Sequence, residues 1–254
     1  MSLALRSSLL AGKGFLHGFS LRTGGVSAPP FAALNLGRAV GDAPEAVAEN
    51  HRRFAATVGY AAEALREVTQ VHGPDVIGVD PGADVVALRA READALVSVR
   101  VPVGVRVADC AAVLLADPRS GAVAALHAGW RGAVAGVVEA TVAALCAEVS
   151  AARHTLLAAL FPCISAAHFE VSEEVAAQLA AAAGTRDVVM TRPGARPHVD
   201  LAGTVLRQLA RAGLTEANIE HVAGCTFGDG ARFFSHRRDC GQTGRHLAAI
   251  VPQC

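Results

Sequence analysis

The 254-residue sequence lacks several features that would place it in a familiar class. It has no net charge, since 23 basic residues balance 23 acidic ones, and Lys13 is its only lysine. A neutral chain lacks the positive surface of a general nucleic-acid-binding protein. No apolar run reaches the roughly 18 residues of a membrane span, and the N-terminal segment lacks the apolar core and cleavage site of a signal peptide. We therefore expect a cytoplasmic protein that binds neither nucleic acid nor membrane.

Motifs of several common enzyme classes are absent as well. The sequence has no G-x-G-x-x-G unit between a strand and a helix and no P-loop. Its six cysteines form no C-x-x-C pair, which favours reduced thiols in a cytosol. Its ten histidines include no His-x-His pair, so the count does not support a multicopper centre.

The composition indicates a folded globular protein with a large core. Apolar residues make up 52% of the chain, and its length suits one large domain. Consecutive strands mixed with a few helices predict an α+β fold, a single compact domain over residues 1–254 with mixed sheets and flanking helices. A helix is predicted from an Asp42 cap to about Val58. The strand predictions on which the site depends are Val68–Val71 with its hairpin partner Val76–Val79, Val103–Val107, Ala111–Ala116, Ala122–Leu126, Arg232–Phe234 and His246–Val251.

Polar residues interrupt or end the most apolar of these strands. Asp109 and Cys110 stand side by side between two buried runs, and His127 directly follows a third. Buried strands of this kind are normally apolar throughout. A carboxylate, a thiol and an imidazole at strand ends therefore indicate a functional site on a rigid scaffold.

His72 follows a predicted strand in the same way and completes a possible ligand set. Three nitrogen and sulfur ligands, from His72, Cys110 and His127, with an open fourth position are typical of catalytic zinc. Such a zinc would lower the pKa of a bound water to about 7, with Asp109 as an orienting group or proton acceptor. Two alternatives stay open: Cys110 as a nucleophile with His127 as its base, or a core thiol beside strand-capping histidines.

Arginines near glycines are candidate anion anchors. Guanidinium groups bind phosphate in a bidentate manner, and neighbouring glycines let backbone amides take part. Arg22 and Arg131 have such glycine neighbours, and Arg237 belongs to an adjacent arginine pair. We expect at least one member of that pair, Arg237-Arg238, to be solvated.

Seven short motifs follow one another in an order that resembles the laccase-domain (YfiH-like) family. That family was first labelled polyphenol oxidase and is now described as purine nucleoside phosphorylase and adenosine deaminase. The resemblance runs from about residue 15 to about residue 250. The motifs are Arg22-Thr23-Gly24-Gly25-Val26-Ser27, Leu34-Asn35-Leu36-Gly37, Gln70-Val71-His72-Gly73, Ala108-Asp109-Cys110, His127-Ala128-Gly129-Trp130-Arg131-Gly132, Cys225-Thr226 and Phe234-Ser235-His236-Arg237-Arg238.

The resemblance implies a fold similar to putative cysteine hydrolases and a set of site residues. It implies a zinc ion on His72, Cys110 and His127. Cys110, Asp109 and His127 are then the expected catalytic residues. The residues expected to bind substrate or phosphate are Arg22, Asn35, Arg131, His236 and Arg237.

The implied function is zinc-dependent phosphorolysis of adenosine, inosine, guanosine and methylthioadenosine, together with deamination of adenosine. The expected partners are thus purine nucleosides and phosphate. A cysteine-type amidase or peptidoglycan-precursor editing hydrolase is one alternative, and a non-enzymatic metal or nucleoside binder is another. A copper-dependent polyphenol oxidase is the disfavoured alternative. The chain departs from the family pattern at Phe161 and Phe169, and we expect Phe161 to alter the wall of the substrate cavity.

Overall fold

Two packed β-sheets form the centre of the fold in the computed structural model, which describes residues 3–253. Their strands are short, and most are buried along their whole length. The strands in the described range are β1 (Ala4–Leu5), β2 (His17–Ser20), β3 (Val76–Gly78), β4 (Ala95–Ser98), β5 (Val103–Val107), β6 (Ala111–Ala116), β7 (Val123–Ala128), β8 (Leu157–Leu160), β9 (Val189–Met190), β10 (His198–Val199), β11 (Ile219–His221) and β12 (His246–Ile250).

The two sheets differ in their pairing. The four-stranded sheet has the order β1-β2-β12-β5 and is antiparallel throughout. The six-stranded sheet has the order β11-β8-β6-β7-β4-β3, in which the outer pairs β11–β8 and β3–β4 are parallel and the inner pairs antiparallel. Strands β9 and β10 form a separate antiparallel pair. The fold is therefore a single α+β domain with mixed sheets, as predicted.

Helices cover both outer faces of the sheet pair. They are α1 (Ser8–Ala11), α2 (Pro44–Val58), α3 (Val85–Ala90), α4 (Trp130–Ala135), α5 (Val137–Val149), α6 (Glu173–Ala183) and α7 (Leu201–Arg211). Phe54 and Val58 of α2 pack on Leu247 of β12, on the outer face of the four-stranded sheet. Helices α5 and α7 bury their apolar faces against the six-stranded sheet, and α6 packs on α7 and α4. No helix among the described residues has the length and apolar character needed to cross a bilayer.

Strand β6 shows why the central runs are apolar without alternation. Ala112 and Leu114 face the layer between the two sheets, whereas Val113 and Leu115 face the helices. Both faces are buried, so a polar residue on either side would lose its hydration without compensation. The predicted strands at Val103–Val107 and Ala111–Ala116 are confirmed.

The chain passes from one sheet to the other within three residues, at Ala108–Cys110. Strand β5 belongs to the four-stranded sheet and β6 to the six-stranded sheet. Asp109 adopts a φ of 91° at this crossing, a conformation that residues with a side chain rarely take. His127 lies near the end of β7 that faces the same crossing, because Ala112 pairs with His127. The crossing thus gathers the polar residues of three strands.

Two predictions for the segment before β4 are wrong. Val68–Val71 is not a strand, because its backbone groups bond to separate partners: the Thr69 amide donates to the Arg91 carbonyl and the Val71 amide to the Asp94 side chain. Val76–Gly78 is a strand, but it pairs in parallel with β4 instead of forming a hairpin. The predicted helix is confirmed at Pro44–Val58, although Asp42 bonds Ser27 and Asn35 and does not cap it.

Arg232–Phe234, predicted as a strand, is a turn anchored by a buried histidine. The Phe233 amide donates to the Asp229 carbonyl, and the Phe234 amide donates to Nε2 of His246 at 2.8 Å. Nδ1 of His246 bonds the Ser20 carbonyl at 2.7 Å. The ring is therefore neutral, with one nitrogen donating and the other accepting, and it holds the segment that leads to His236 and Arg237.

This histidine predicts an acid-dependent loss of stability. Burial lowers the pKa of His246 from 6.5 to about 3. Between these two pH values the unfolded chain binds a proton at this residue and the folded chain does not. The free energy of unfolding should fall by about 2 kcal/mol between about pH 7.5 and about pH 5 from this residue alone. Urea unfolding at both pH values measures the change.

Two variants assign that change to its source. His246→Gln should be less stable overall but should lose about 2 kcal/mol less on acidification. His221→Gln, at an exposed position, should keep the parent's pH dependence. An unchanged pH dependence in His246→Gln would contradict the assignment.

Candidate active site

The three predicted metal ligands meet at the sheet crossing. The ligand atoms of His72, Cys110 and His127 all lie within 4.8 Å of one another. A tetrahedral zinc with ligand distances of about 2.0–2.3 Å sets neighbouring ligand atoms roughly 3.5 Å apart, so small side-chain shifts suffice. His127 is buried, Cys110 is half-buried and His72 is exposed. The residues fit a metal with one open side.

A buried carboxylate, Asp94, orients both histidines. Its Oδ1 atom lies 2.6 Å from Nδ1 of His127, which leaves Nε2 of that ring free to bind a metal. Its Oδ2 atom accepts from the amides of Val71 at 3.1 Å and Gly73 at 2.6 Å, the residues on either side of His72. Carboxylates that bond a ligand histidine in this way fix its tautomer and raise its basicity. Asp94 thus belongs to the candidate site, and sequence reasoning did not identify it.

Gly129 makes room for the ligand group. A Cβ atom at this position would lie 2.8 Å from Cδ2 of His72 and 3.0 Å from the Cys110 sulfur. His72 itself adopts a φ of 63°. Strained backbone of this kind concentrates at functional sites, where the surrounding structure holds it in place.

The electrostatics of the ligand group favour a charged pair of Cys110 and His127. Burial disfavours the thiolate, but the His127 and His72 rings outweigh that effect and lower the pKa of Cys110 to about 6. Burial also disfavours the imidazolium, but the Cys110 thiolate and the Asp94 carboxylate outweigh it and raise the pKa of His127 to about 9. The thiol therefore loses its proton at neutral pH, as a metal ligand or a nucleophile must.

Asp109, the neighbour of Cys110, bonds away from the histidines. Its Oδ1 atom accepts from the Thr226 hydroxyl at 2.6 Å and its Oδ2 atom from the Arg237 amide at 2.7 Å. It lines the cavity and ties two loops to the crossing. Asp94, not Asp109, is the carboxylate that orients His127.

A cavity of about 610 Å³ opens over the ligand group. Of the predicted substrate residues, it is lined by Arg131, His236 and Arg237. The guanidinium of Arg131 lies 4.5 Å from the Trp130 ring centroid, and that of Arg237 lies 5.7 Å from the Phe169 ring. The cavity wall also contains Phe169, one of the two departures from the family pattern.

Arg22 and Asn35 lie outside the cavity lining. Arg22 donates to the carbonyls of Ala32 and Gly230, and Asn35 is fully buried. Their assignment to substrate binding stays a prediction. The expectation for Phe161 is wrong, because this residue does not line the cavity but stacks on Phe19 between the sheets.

Several cavity residues were not identified from the sequence. Three arginines on the wall are Arg38, Arg106 and Arg245. Arg38 and Arg245 each directly follow a glycine, the signal that singled out Arg22, whereas Arg106 lies inside β5. Asp94 had a usable signal, because a charged residue directly before a buried strand is uncommon. Five cysteines, Cys110, Cys146, Cys163, Cys225 and Cys240, are free, and Cys254 lies outside the described residues.

Residues 16–253 match the family described as multi-copper polyphenol oxidoreductase laccase. The chain belongs to this laccase-domain family. Curated relatives include the purine nucleoside phosphorylase of Deinococcus radiodurans, 41% identical over 92% of this chain and 88% of the relative. Another is purine nucleoside phosphorylase ORF3 of Streptomyces griseus, 42% identical over 92% of each chain.

Solved structures of similar proteins share the fold of this laccase-domain chain. YlmD from Geobacillus stearothermophilus matches with a TM-score of 0.89 and 29% identity over 100% of both chains. The hypothetical protein YfiH from Bacillus licheniformis matches with a TM-score of 0.85 and 28% identity, covering 93% of this chain and 92% of the other. The predicted resemblance to this family is confirmed.

The role of Asp94 predicts a loss of metal affinity in Asp94→Asn. The amide cannot accept from the two loop amides and the His127 ring as a carboxylate does, so zinc affinity should fall by about ten- to hundredfold. Competition against a chromogenic chelator measures the affinity. Asp117→Asn is the matched control, since this buried carboxylate bonds Ser120 in the β6–β7 turn. Equal zinc affinities in the two variants would contradict the role of Asp94 in orienting the ligand histidines.

The contacts of Gly129 predict that a single methyl group disrupts the ligand set. Gly129→Ala should bind zinc at least about tenfold more weakly, because the new Cβ displaces His72 and Cys110. Gly73→Ala is the control, since its Cβ would meet nothing closer than 3.7 Å. Zinc titration of both folded variants makes the comparison, and full affinity in Gly129→Ala contradicts it.

Proposed function

We propose that this protein is a purine nucleoside phosphorylase. In this reaction inorganic phosphate attacks the anomeric carbon of the nucleoside, the N-glycosidic bond breaks, and the products are a free purine base and ribose 1-phosphate. The proposal rests on one observation: a His/Cys/His group and several arginines line the same cavity. The chain that carries them is 41% identical to a purine nucleoside phosphorylase over 92% of this chain and 88% of the relative.

We assign a zinc ion to His72, Cys110 and His127. Imidazole and thiolate donors suit zinc, and the half-buried thiol is deprotonated at neutral pH. When bound, zinc supplies Lewis acidity at this end of the cavity. Asp94 holds the two histidines in the ligating orientation, and Gly129 keeps the space beside them free.

Arg131, His236 and Arg237 are assigned to the nucleoside. Guanidinium groups donate to the N7 and O6 acceptors of a purine edge. Each of these two arginines lies over an aromatic ring, which fixes the direction of its donors. Arg237 also donates to the Glu170 carbonyl at 3.0 Å. Arg22 and Asn35 are proposed to act indirectly, by holding the loops around the cavity.

Deamination of adenosine in the same cavity is the second part of the proposal. Water adds at C6 of adenine, ammonia leaves, and a proton moves from the water to the amine. Asp109 is the group proposed to carry that proton. Its two oxygens each accept one hydrogen bond from the protein, so each keeps a lone pair for this purpose.

A cysteine hydrolase is a second candidate function, favoured by one observation. Cys110, His127 and Asp94 are arranged as a nucleophile, a base and an orienting carboxylate. The peptidoglycan-precursor editing alternative would use this arrangement. Tight stoichiometric zinc in the purified protein counts against it, whereas a trapped acyl-enzyme on Cys110 would establish it. Either use of the thiol needs a reducing compartment, which supports a cytoplasmic location.

The proposal predicts phosphate-dependent release of purine base. Purified protein should release the base from inosine, guanosine, adenosine and methylthioadenosine only when phosphate is present. It should convert adenosine to inosine without phosphate as well. Chelation should abolish both activities and added zinc should restore them. Chromatography of bases and nucleosides follows both reactions.

Cysteine variants provide the matched comparison. Cys110→Ser should lose about a hundredfold or more of the activity, because a hydroxyl is a poor zinc ligand. Cys146→Ser, on α5 and outside the cavity, should keep it. Absence of phosphate-dependent base release from all four nucleosides contradicts the phosphorylase. Full activity after chelation contradicts the zinc.

A further inference from the structure

A second group of charged residues lines the cavity, apart from the metal ligands. Arg38, Arg106 and Arg245 all contribute to its wall. They come from three separate segments: the loop before α2, strand β5 and the residue before β12. Because His246 pairs with Val107 in the four-stranded sheet, Arg245 and Arg106 lie at the same end of neighbouring strands.

A single buried carboxylate, Glu67, holds two of these arginines. Its oxygens lie 3.1 Å from Nε of Arg38 and 3.4 Å from Nη1 of Arg106, and Arg89 approaches at 4.0 Å. The Glu67 side chain is 1% exposed. Burial disfavours its charge, but the positive charges of Arg106 and Arg38 and the hydrogen bond from Arg38 outweigh that effect and lower the pKa of Glu67. The carboxylate is therefore ionised, and it directs both guanidiniums.

The charges of this group do not balance. Arg38, Arg106 and Arg245 carry three positive charges against the one negative charge of Glu67, and Arg89 adds a further positive charge behind them. His51 adds none at neutral pH, because burial lowers its pKa to about 4. Four arginines against one carboxylate leave an excess of three positive charges, which is unfavourable at a partly desolvated wall unless an anion neutralises it.

Several guanidinium donors point to no partner in residues 3–253. Arg38 uses only Nε, and its two terminal nitrogens bond no protein acceptor. Arg245 donates from Nη1 to the carbonyls of Thr243 and Gly244, which leaves Nε and Nη2. Burial lowers the pKa of Arg245, while Cys110 and Asp109 act in the opposite direction, so these groups lie within electrostatic range. Arg38 and Arg245 line the same cavity as His72, Cys110 and His127.

Asn35 joins the segments that carry Arg38 and Arg245. Its Oδ1 atom accepts from the Gly37 amide at 2.8 Å and from the Arg245 amide at 2.9 Å. Gly37 packs against the stem of Arg245, since a Cβ there would lie 2.7 Å from Cγ of Arg245. The two arginines are therefore held in a fixed relation before any ligand binds.

We propose that Arg38, Arg106 and Arg245 form the phosphate subsite, with Glu67 and Asn35 as positioning residues. Phosphate carries a charge of about −1.5 to −2 at neutral pH and offers oxygens that suit bidentate guanidinium donors. The role as co-substrate site rests on the phosphorylase proposed above. It moves the phosphate away from Arg22, which lies outside the cavity lining and donates from Nε and Nη1 to backbone carbonyls.

The test separates phosphate binding from phosphate use. Calorimetry with inorganic phosphate alone should show binding to the zinc-loaded protein and a loss of about ten- to hundredfold in Arg38→Gln and Arg245→Gln. In the phosphorolysis assay the KM for phosphate should rise by a similar factor, while the KM for inosine changes less than about twofold. Glu67→Gln should raise the phosphate KM with a smaller change in kcat, a split that a general loss of structure would not produce.

Arg119→Gln is the matched control, at an exposed arginine in the β6–β7 turn outside the cavity. Its phosphate affinity and KM should equal those of the parent. Phosphate binding that is lost in the two subsite variants supports the subsite even if no nucleoside is cleaved, so failure of the phosphorylase is distinguishable. Phosphorolysis with an unchanged phosphate KM in both variants overturns the subsite.

A further arm distinguishes free phosphate from the phosphate of a nucleotide. Inosine 5′-monophosphate should not be cleaved more efficiently than inosine. If it is, and Arg38→Gln removes that preference, the subsite holds a substrate phosphoryl group and the co-substrate assignment is overturned. Failure of the zinc-loaded parent to bind phosphate also overturns it.

Discussion

One buried carboxylate, Asp94, determines the geometry of the ligand group. It bonds the ring of His127 on one side and the amides that flank His72 on the other. His72 and His127 are 55 positions apart in the sequence. The one carboxylate of Asp94 fixes the position of both. Cys110 needs no such support, because it leads directly into β6. The ligand group is buried at His127, half-buried at Cys110 and exposed at His72.

The position of this group follows from the packing of two sheets. Strands β5 and β6 lie in different sheets, so the short link between them must turn sharply. Asp109 adopts a positive φ at this turn. Side chains at the link cannot be covered by either sheet, which leaves a cavity at the point of exchange. Asp109 uses its carboxylate to close the other side of that opening, through Thr226 and Arg237. The crossing of the chain between the two sheets therefore accounts for the position of the cavity.

The sequence was sufficient for the elements that are buried on both faces and for the ligands at their ends. Runs such as Ala111–Ala116 admit one interpretation, and Cys110 and His127 contrast with them. It was insufficient for Val68–Val71, because an apolar segment that bonds separate partners resembles a strand locally. It also missed Asp94 and Arg245, whose roles depend on contacts between distant segments. For Arg22 the sequence was misleading in the opposite way. Its glycine neighbours suggested a guanidinium open to an anion, yet Nε and Nη1 donate to backbone carbonyls.

The histidines outside the ligand group bear on the copper chemistry in the family's description. His17 and His246 each bond the backbone through both ring nitrogens, and His51 bonds the Leu36 carbonyl in the core. These rings are structural, and burial keeps them neutral for that purpose. Within residues 3–253, His72, Cys110 and His127 form the only group of three or more His, Cys, Asp or Glu side chains placed to hold an ion. A copper cluster needs more imidazoles than the two in this group. A single zinc ion, by contrast, suits two imidazoles, a thiolate and an open position.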